Sequence, residues 1–390
     1  MAFMDANALW ATLARTPSLD APRLLALEAR RRQQLPAGAS AAPACAALLH
    51  MGPIELAELG LSRRAIHWLT EPAEALVAAD LLAQQQHALQ LLPAIAPDYP
   101  PLLAQQSGAP AVLWLRGSSA ALCRPQLAVV GTRNPTANGR ETAYEFARYF
   151  TRGGLTITSG LALGIDAAAH EGALAAGGPT IAVCGNGLAS TYPTEHRDLA
   201  ERIAAQGGAL LSEFPPDTAP EAWRFPERNR IMSALSRGVL VVEAAQRSGS
   251  LITARHAGEQ GREVFAIPGS IHNPMARGCH QLLRQGATLV ERAADVFEEL
   301  QIPDMNQIVN LISKGSRSGN SGSQGLDNAC KILLHALAFE PTSLDTLVLR
   351  TGLPGESVAS MLLLLELEGL VAPQPGGRFV RLKHHGLEER

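Results

Sequence analysis

Between residues 127 and 267 six short apolar runs recur, each closed by a small or polar loop and followed by an amphipathic stretch. The runs are Leu127-Ala-Val-Val, Leu155-Thr-Ile-Thr, Thr180-Ile-Ala-Val-Cys, Ala209-Leu-Leu-Ser, Gly238-Val-Leu-Val-Val-Glu and Glu263-Val-Phe-Ala-Ile. The stretches between them predict helices over 141–152, 167–176, 197–206, 229–236 and 250–261. An apolar strand without polar alternation must be buried on both faces, and helices of this length between such strands are crossover connections. The pattern therefore predicts an extended Rossmann-like, doubly wound, mostly parallel α/β sheet over 90–300. Ligands of such sheets bind beyond the carboxyl ends of the strands.

The flanks read differently. Residues 1–85 are rich in Ala and Leu with helical periodicity, and Met51-Gly-Pro-Ile-Glu-Leu-Ala-Glu-Leu-Gly reads as helix and turn, with Pro53 in a first turn and Gly60 at a C-terminus. A small helical domain of the SAM or helix-hairpin kind fits, used either for packing or for touching a DNA backbone. Residues 302–326 lose periodicity, and Ser313-Lys-Gly-Ser-Arg-Ser-Gly-Asn-Ser-Gly-Ser reads as a flexible linker. Three helices and a hairpin over 327–385 form a winged-helix pattern. Its third helix carries Met361, leucines, Glu366 and Glu368 but no base, so it is a poor DNA reader and suits packing or protein contact equally well.

With 46% hydrophobic and 18% charged residues the chain can bury a large core, and its net charge of −3 excludes a uniformly basic coat while leaving room for a local basic patch. The five cysteines form no C-x-x-C, which speaks against a disulfide framework or a structural zinc. There is no signal peptide and no run long enough to span a bilayer, so the expectation is a cytoplasmic chain without membrane insertion.

The strand-end loops carry the chemistry. Gly131-Thr-Arg-Asn-Pro-Thr follows a strand and opens a helix that Thr136 or Asn138 can cap. Its N–H groups and Arg133 suit a phosphate. Ser159-Gly160 can offer donors at the next strand end, and Ser248-Gly-Ser at a later one. Asp166 and His170, four apart on a predicted helix, suit a structural hydrogen bond better than an acid/base pair. Cys184-Gly-Asn-Gly-Leu-Ala-Ser lacks the third glycine and the following ribose-binding acid of a dinucleotide fingerprint, so NAD is rejected. In Trp223-Arg-Phe-Pro-Glu-Arg-Asn-Arg-Ile, bases alternate with aromatics, as a single strand of nucleic acid requires. Arg224, Arg228 and Arg230 would neutralise phosphates, and Phe225 or Trp223 would stack on a base.

Taken in order, these loops resemble the DNA-processing protein A (DprA, Smf) family. The resemblance runs through Val130-Gly-Thr-Arg-Asn-Pro-Thr, Ser159-Gly-Leu-Ala-Leu-Gly-Ile-Asp, Tyr192-Pro, Phe225-Pro-Glu-Arg-Asn-Arg-Ile, Glu243-Ala-Ala-Gln-Arg-Ser-Gly-Ser-Leu-Ile-Thr-Ala, Ala266-Ile-Pro-Gly-Ser and Gly278-Cys-His-Gln-Leu-Leu-Arg-Gln-Gly-Ala. It implies a protein that binds and protects incoming single-stranded DNA and loads RecA recombinase onto it in natural transformation, without enzymatic turnover, cofactor or metal. Carried onto this chain, DNA-binding roles fall to Gly131, Thr132, Arg133, Ser159, Gly160, Phe225, Arg228, Asn229, Arg230, Ser248, Gly249 and Ser250. A homodimer interface would fall on His280, Leu283 and Leu289. One departure is that Ala222 stands where relatives often carry lysine, leaving Arg224 as the nearest base. The alternative is a nucleotide-binding or nucleoside-monophosphate-hydrolysing Rossmann-like enzyme, but Ala244-Ala-Gln-Arg-Ser-Gly-Ser stands where the "lonely guy" phosphoribohydrolases carry Pro-Gly-Gly-x-Gly-Thr. A duplex-DNA regulator acting through the winged helix is a third reading.

Overall fold

The computed structural model describes residues 6–34, 43–302, 333, 337, 342–351, 355–367, 371–374 and 378–381. The chain divides into two compact units, Met1–Ser313 and Lys314–Arg390.

The first unit is built on a nine-stranded sheet. Its strands are β1 (Gln90–Pro93), β2 (Val112–Gly117), β3 (Gln126–Val130), β4 (Thr156–Ser159), β5 (Thr180–Val183), β6 (Ala209–Ser212), β7 (Gly238–Val241), β8 (Glu263–Ala266) and β9 (Thr288–Leu289). They lie in the order β1-β2-β6-β5-β4-β3-β7-β8-β9. All neighbours from β6 to β9 are parallel, whereas β1 with β2 and β2 with β6 are antiparallel.

The apolar runs are explained by burial on two sides. Alternate residues of a strand point to opposite faces. In β3, Ala128 and Val130 enter one core while Leu127 and Val129 enter another, and in β7 Val239 and Val241 part from Leu240 in the same way. One face is covered by the helices Ala137–Arg152, Ile165–Ala175 and Ala293–Leu300, through Ala143, Ala147, Phe150, Ala169, Val296 and Phe297. The other is covered by Arg224–Leu235 and Ser250–Glu259, which supply Ile231, Met232, Leu235, Ala254 and Ala257. Small residues bring the first two helices together: a side chain at Gly172 would run into the backbone of Tyr144.

The N-terminal helices Ala6–Ala14, Ala21–Gln34, Pro53–Glu58, Arg63–Thr70 and Glu74–Gln86 are present as read, with Pro53 at a helix start and Gly60 left-handed at φ 75°. They share one core with the sheet: Leu9, Leu13, Leu24, Leu48 and Leu56 belong to the same cluster as Val112, Leu113 and Leu115. A two-toothed ion pair, Arg15 Nε and Nη2 to the buried Asp80 carboxylate at 2.5 and 2.8 Å, ties the first helix to the fifth. The boundary expected near residue 85 is thus a change of architecture rather than a gap in the core.

The second unit is a winged helix. A three-stranded sheet pairs Thr342–Ser343 with Arg378–Arg381, and the latter with Val371–Gln374, beside helices Leu344–Thr351 and Gly355–Leu367. Ser343 Oγ accepts from Thr346 N at 3.3 Å and so caps the first of these. The leucine-rich helix packs: Val358, Met361, Leu362 and Leu365 are buried with Leu347 and Val371. Of the helix expected over 331–338, Leu333 and Leu337 are described, both helical and buried. The linker expected over 302–326 lies, Ile302 apart, outside the described residues.

Candidate nucleic-acid interface

The sheet reverses its winding at β3. From there the chain builds β4, β5 and β6 to one side, then crosses to β7, β8 and β9 on the other. The crevice at the carboxyl ends of β3 and β7 is the ligand position such a reversal creates. A cleft of about 310 Å³ lies there, lined by Gly131, Thr132, Arg133, Phe225, Arg228, Asn229, Ser248, Gly249 and Ser250, with Ala162, Asp166, Met232 and Thr253. Nine of the twelve expected DNA-binding residues thus converge, and Ser159, Gly160 and Arg230 do not line it.

The loop after β3 is pinned from two sides. Thr132 N–H donates to Glu243 O at 2.7 Å, and Ile165 N–H to Thr132 O at 3.2 Å. The Glu243 carboxylate, just beyond β7, accepts from Thr136 N at 2.9 Å, Thr136 Oγ1 at 2.7 Å and Asn273 Nδ2 at 3.2 Å. Thr136, not Asn138, caps the helix by accepting from Gly139 N at 2.9 Å. Asn134 N–H donates to Thr132 Oγ1 at 3.2 Å. Of the N–H groups expected to suit an anion, those of Thr132, Asn134 and Thr136 donate inside the protein. What the loop presents is the Arg133 side chain, which is exposed and whose guanidinium lies 5.7 Å from the Phe225 ring centroid.

Phe225 sits in the first turn of the helix Arg224–Leu235, which starts before the expected residue 229. Pro226 is tolerated because a first-turn N–H has no helical partner to lose. Once the segment is helical, the side chains sort themselves. Phe225, Arg228, Asn229 and Met232 recur at i, i+3, i+4 and i+7 and line the cleft. Arg230 falls on another face, where it pairs with Glu213, donates to Gly108 O at 2.7 Å and borders a different cleft. Expected to contact a phosphate, it stands outside the strand-end cleft. Trp223 and Phe225 do not form one platform either. The exposed Trp223 packs on Phe214 and Arg224, whereas Phe225 is half-buried against Tyr192, centroids 5.3 Å apart. Arg224 pairs with Glu221 at 2.9 Å and lies over Phe214 and Trp223, outside the cleft.

Arg228 lines the cleft but is 4% exposed. Its guanidinium donates to the carbonyls of Gly160, at 2.9 Å, and Val183, and its Nε to Asn229 Oδ1 at 3.0 Å. Instead of forking onto a phosphate, it stitches the ends of β4 and β5 together. Gly160 makes this possible, since a Cβ there would overlap the guanidinium. Among the described residues no carboxylate forms an ion pair with Arg228. Burial disfavours its charge, and the carboxylate of Asp166 favours it. Arg228 and Asp166 thus stand in one wall of the cleft as a buried cation and a buried carboxylate whose charges act on each other.

Asp166 is buried and accepts from Gly160 N at 3.1 Å and Ala162 N at 3.4 Å; burial raises its pKa against the pull of Arg228. The Gly160 N–H, expected to serve an anion, thus donates within the protein. Ser159 is likewise committed, its Oγ donating to Val129 O at 2.6 Å. Nor do Asp166 and His170 bond to each other. His170 Nδ1 lies 2.8 Å from Thr180 Oγ1, whose proton goes to Ile157 O at 2.7 Å, so Nδ1 donates and Nε2 carries the lone pair. Burial lowers this histidine's pKa to about 3.

Sequence reading missed Glu243 as the anchor of the Arg133 loop; a carboxylate ending an otherwise apolar strand was its signal. Of the residues read as an interface between copies, Leu289 is 46% exposed, Leu283 is half-buried, and His280 Nε2 lies 2.9 Å from Gly269 O. Among the described residues no group of three His, Cys, Asp or Glu side chains could hold a metal, and no helix is long and apolar enough to cross a membrane.

Residues 90–301 match the sequence profile of a family described as DNA recombination-mediator protein A, and residues 321–377 that of the DprA winged helix domain. The chain is 43% identical over 340 residues to Protein Smf of Escherichia coli (strain K12), covering 86% of this chain and 88% of the relative. It is 44% identical over 227 residues to DNA processing protein DprA of Bacillus subtilis, covering 58% and 75%. Among solved structures, DNA processing protein A from Streptococcus pneumoniae superposes with a TM-score of 0.62 at 33% identity, covering 75% of this chain and 98% of that one. DNA processing protein A from Helicobacter pylori, described for its single-stranded DNA binding mode, gives 0.50 at 30% identity, covering 55% and 95%.

Proposed function

The chain belongs to the DNA recombination-mediator protein A family, the DprA or Smf proteins, and from that premise we propose that it binds and protects single-stranded DNA at the carboxyl edge of its sheet and loads RecA recombinase onto it in natural transformation. The carrying observation is the cleft between β3 and β7, where the exposed Arg133 lies over Phe225 beside the buried guanidinium of Arg228. Arg133 meets a phosphate, Phe225 stacks on a base, and Arg228 acts from within the wall. Asn229 and Ser248 to Ser250 supply the remaining polar lining.

The protein acts in the cytoplasm as a stoichiometric binder rather than an enzyme. Asp166 and His170 are unsuited to turnover: His170 is fully buried and Asp166 is engaged by two backbone donors. A homodimer built on His280, Leu283 and Leu289 would set two clefts on one strand and raise the effective affinity.

The test is fluorescence anisotropy with a labelled single-stranded oligonucleotide, duplex competitor and two salt concentrations. Tight, salt-sensitive binding that duplex does not compete away is the expected result. Absence of binding at low salt, or release of adenine from AMP, overturns the reading in favour of a nucleotide-directed enzyme. RecA loading is tested by the rate of RecA filament assembly on a single strand with and without the protein.

A further inference from the structure

The helix Ser250–Glu259 is a partition between two depressions. Ser250 and Thr253 face the strand-end cleft. Leu251, Ala254, Arg255 and Gly258, again at i, i+3, i+4 and i+7, face a second and larger groove of about 740 Å³. The two meet at the loop before the helix, because Ser248 and Gly249 line both.

The second groove is basic and polar. Arg247, Arg255 and Arg262 line it, together with the amides of Gln281 and Gln285 from the helix Arg277–Arg284 and its end. Arg247 and Arg255 are exposed. The counter-charges are few: Glu263 borders the groove, and Glu259 reaches Arg255 at 3.9 Å while also approaching His256 Nδ1 at 3.3 Å. Arg262 donates to Leu102 O at 3.2 Å, its Nε is buried without a partner, and Arg237 is close enough to disfavour its charge. Three guanidiniums facing one open channel, with amides able to donate or accept, match a polyanionic backbone.

We propose that this groove is a second segment of the nucleic-acid track: a single strand leaving the strand-end cleft passes over Ser248 and Gly249 and continues along Arg247 and Arg255. Charge complementarity and continuity through the shared loop choose this occupant. The inference rests on the proposed function, and it makes the contact per protomer longer than the strand-end cleft alone.

The test compares Arg247→Ala/Arg255→Ala with the unaltered chain on oligothymidylates of roughly 6 and roughly 20 nucleotides, bracketing the usual range of site sizes. Both positions are exposed and outside the first cleft, so affinity for the short strand reports an intact fold. The expected result is unchanged short-strand affinity, about a tenfold loss on the long strand, and a long-strand salt slope shallower by about 1.4, two phosphates at ~0.7 each. Arg247→Lys/Arg255→Lys should keep most of the long-strand affinity. Equal losses on both lengths, or no loss on either, overturns the proposal. So does a change in oligomeric mass by light scattering, which would assign the groove to contact between copies. Failure of the unaltered chain to bind the short strand would instead overturn the proposed function.

Discussion

The guanidinium of Arg133 lies 5.7 Å from the centroid of the Phe225 ring, although the two residues stand on different strand-end segments. The contact orients a cation and an aromatic face toward one cleft, the combination that single strands are held by. The two contributions are separable. Phe225→Ala should weaken single-strand binding by about 1–3 kcal/mol with the salt slope unchanged. Arg133→Ala should weaken binding to all sequences and flatten the slope by about 0.7. Anisotropy titrations at several salt concentrations read both quantities. Identical slopes for the Arg133 variant and the parent would show that this arginine touches no phosphate.

Arg228 and Arg230 are two residues apart and should behave oppositely. Removing the buried Arg228 leaves the Gly160 and Val183 carbonyls without their donor and the ends of β4 and β5 unstitched. Arg228→Ala should cost about 2–4 kcal/mol in urea unfolding. Arg230→Ala should leave single-strand affinity within twofold of the parent, since Arg230 faces Glu213 and a separate cleft. A large loss of DNA binding in the Arg230 variant would contradict this assignment.

His170 provides a pH signature. Its pKa is about 3 in the fold, below its unfolded value, so the unfolded chain binds the extra proton first as pH falls. Stability should therefore decline as pH drops from about 6.5, by about 1.4 kcal/mol per pH unit, until the folded value is reached. Asp166 works in the opposite sense, because its raised pKa means stability is lost as pH rises above its unfolded value. The comparison of the parent with His170→Gln isolates the histidine. At about pH 5 the parent should have lost roughly 2 kcal/mol more, relative to pH 7, than the variant. Parallel pH profiles would refute a neutral buried ring.

Leu289 lies on the edge strand β9 and is 46% exposed, so a charge there should not disturb the core. Leu289→Arg should halve the mass measured by light scattering while leaving affinity for a strand of roughly 6 nucleotides intact. A dimer that survives the substitution would place the interface elsewhere.

The apolar runs announced the sheet clearly, because a strand buried on both faces is mostly apolar and admits polar side chains chiefly where they find partners, as Thr158 Oγ1 does by donating to Gln126 Oε1 at 2.6 Å. The cleft was legible as a set of loops, since a parallel sheet gathers its carboxyl ends on one edge. What stayed hidden was direction. The helix was expected to begin only at residue 229, and without a helical period over 223–228 Arg228 and Arg230 looked equivalent. The helix turns one inward and the other away. Likewise Ser159, Gly160 and the N–H groups around Thr132 have the chemistry of anion donors, but neighbouring carbonyls and carboxylates had already claimed them. Hydrogen-bond commitments of that kind depend on partners as remote as Glu243 from Thr136, which no local window contains.

The space beside Gly160 is filled by the guanidinium of Arg228. The two positions, 68 residues apart in the chain, therefore answer to each other. Any side chain at 160 meets the guanidinium and must push it from the Gly160 and Val183 carbonyls, so a substitution that reshapes this corner of the cleft also loosens the ends of two strands.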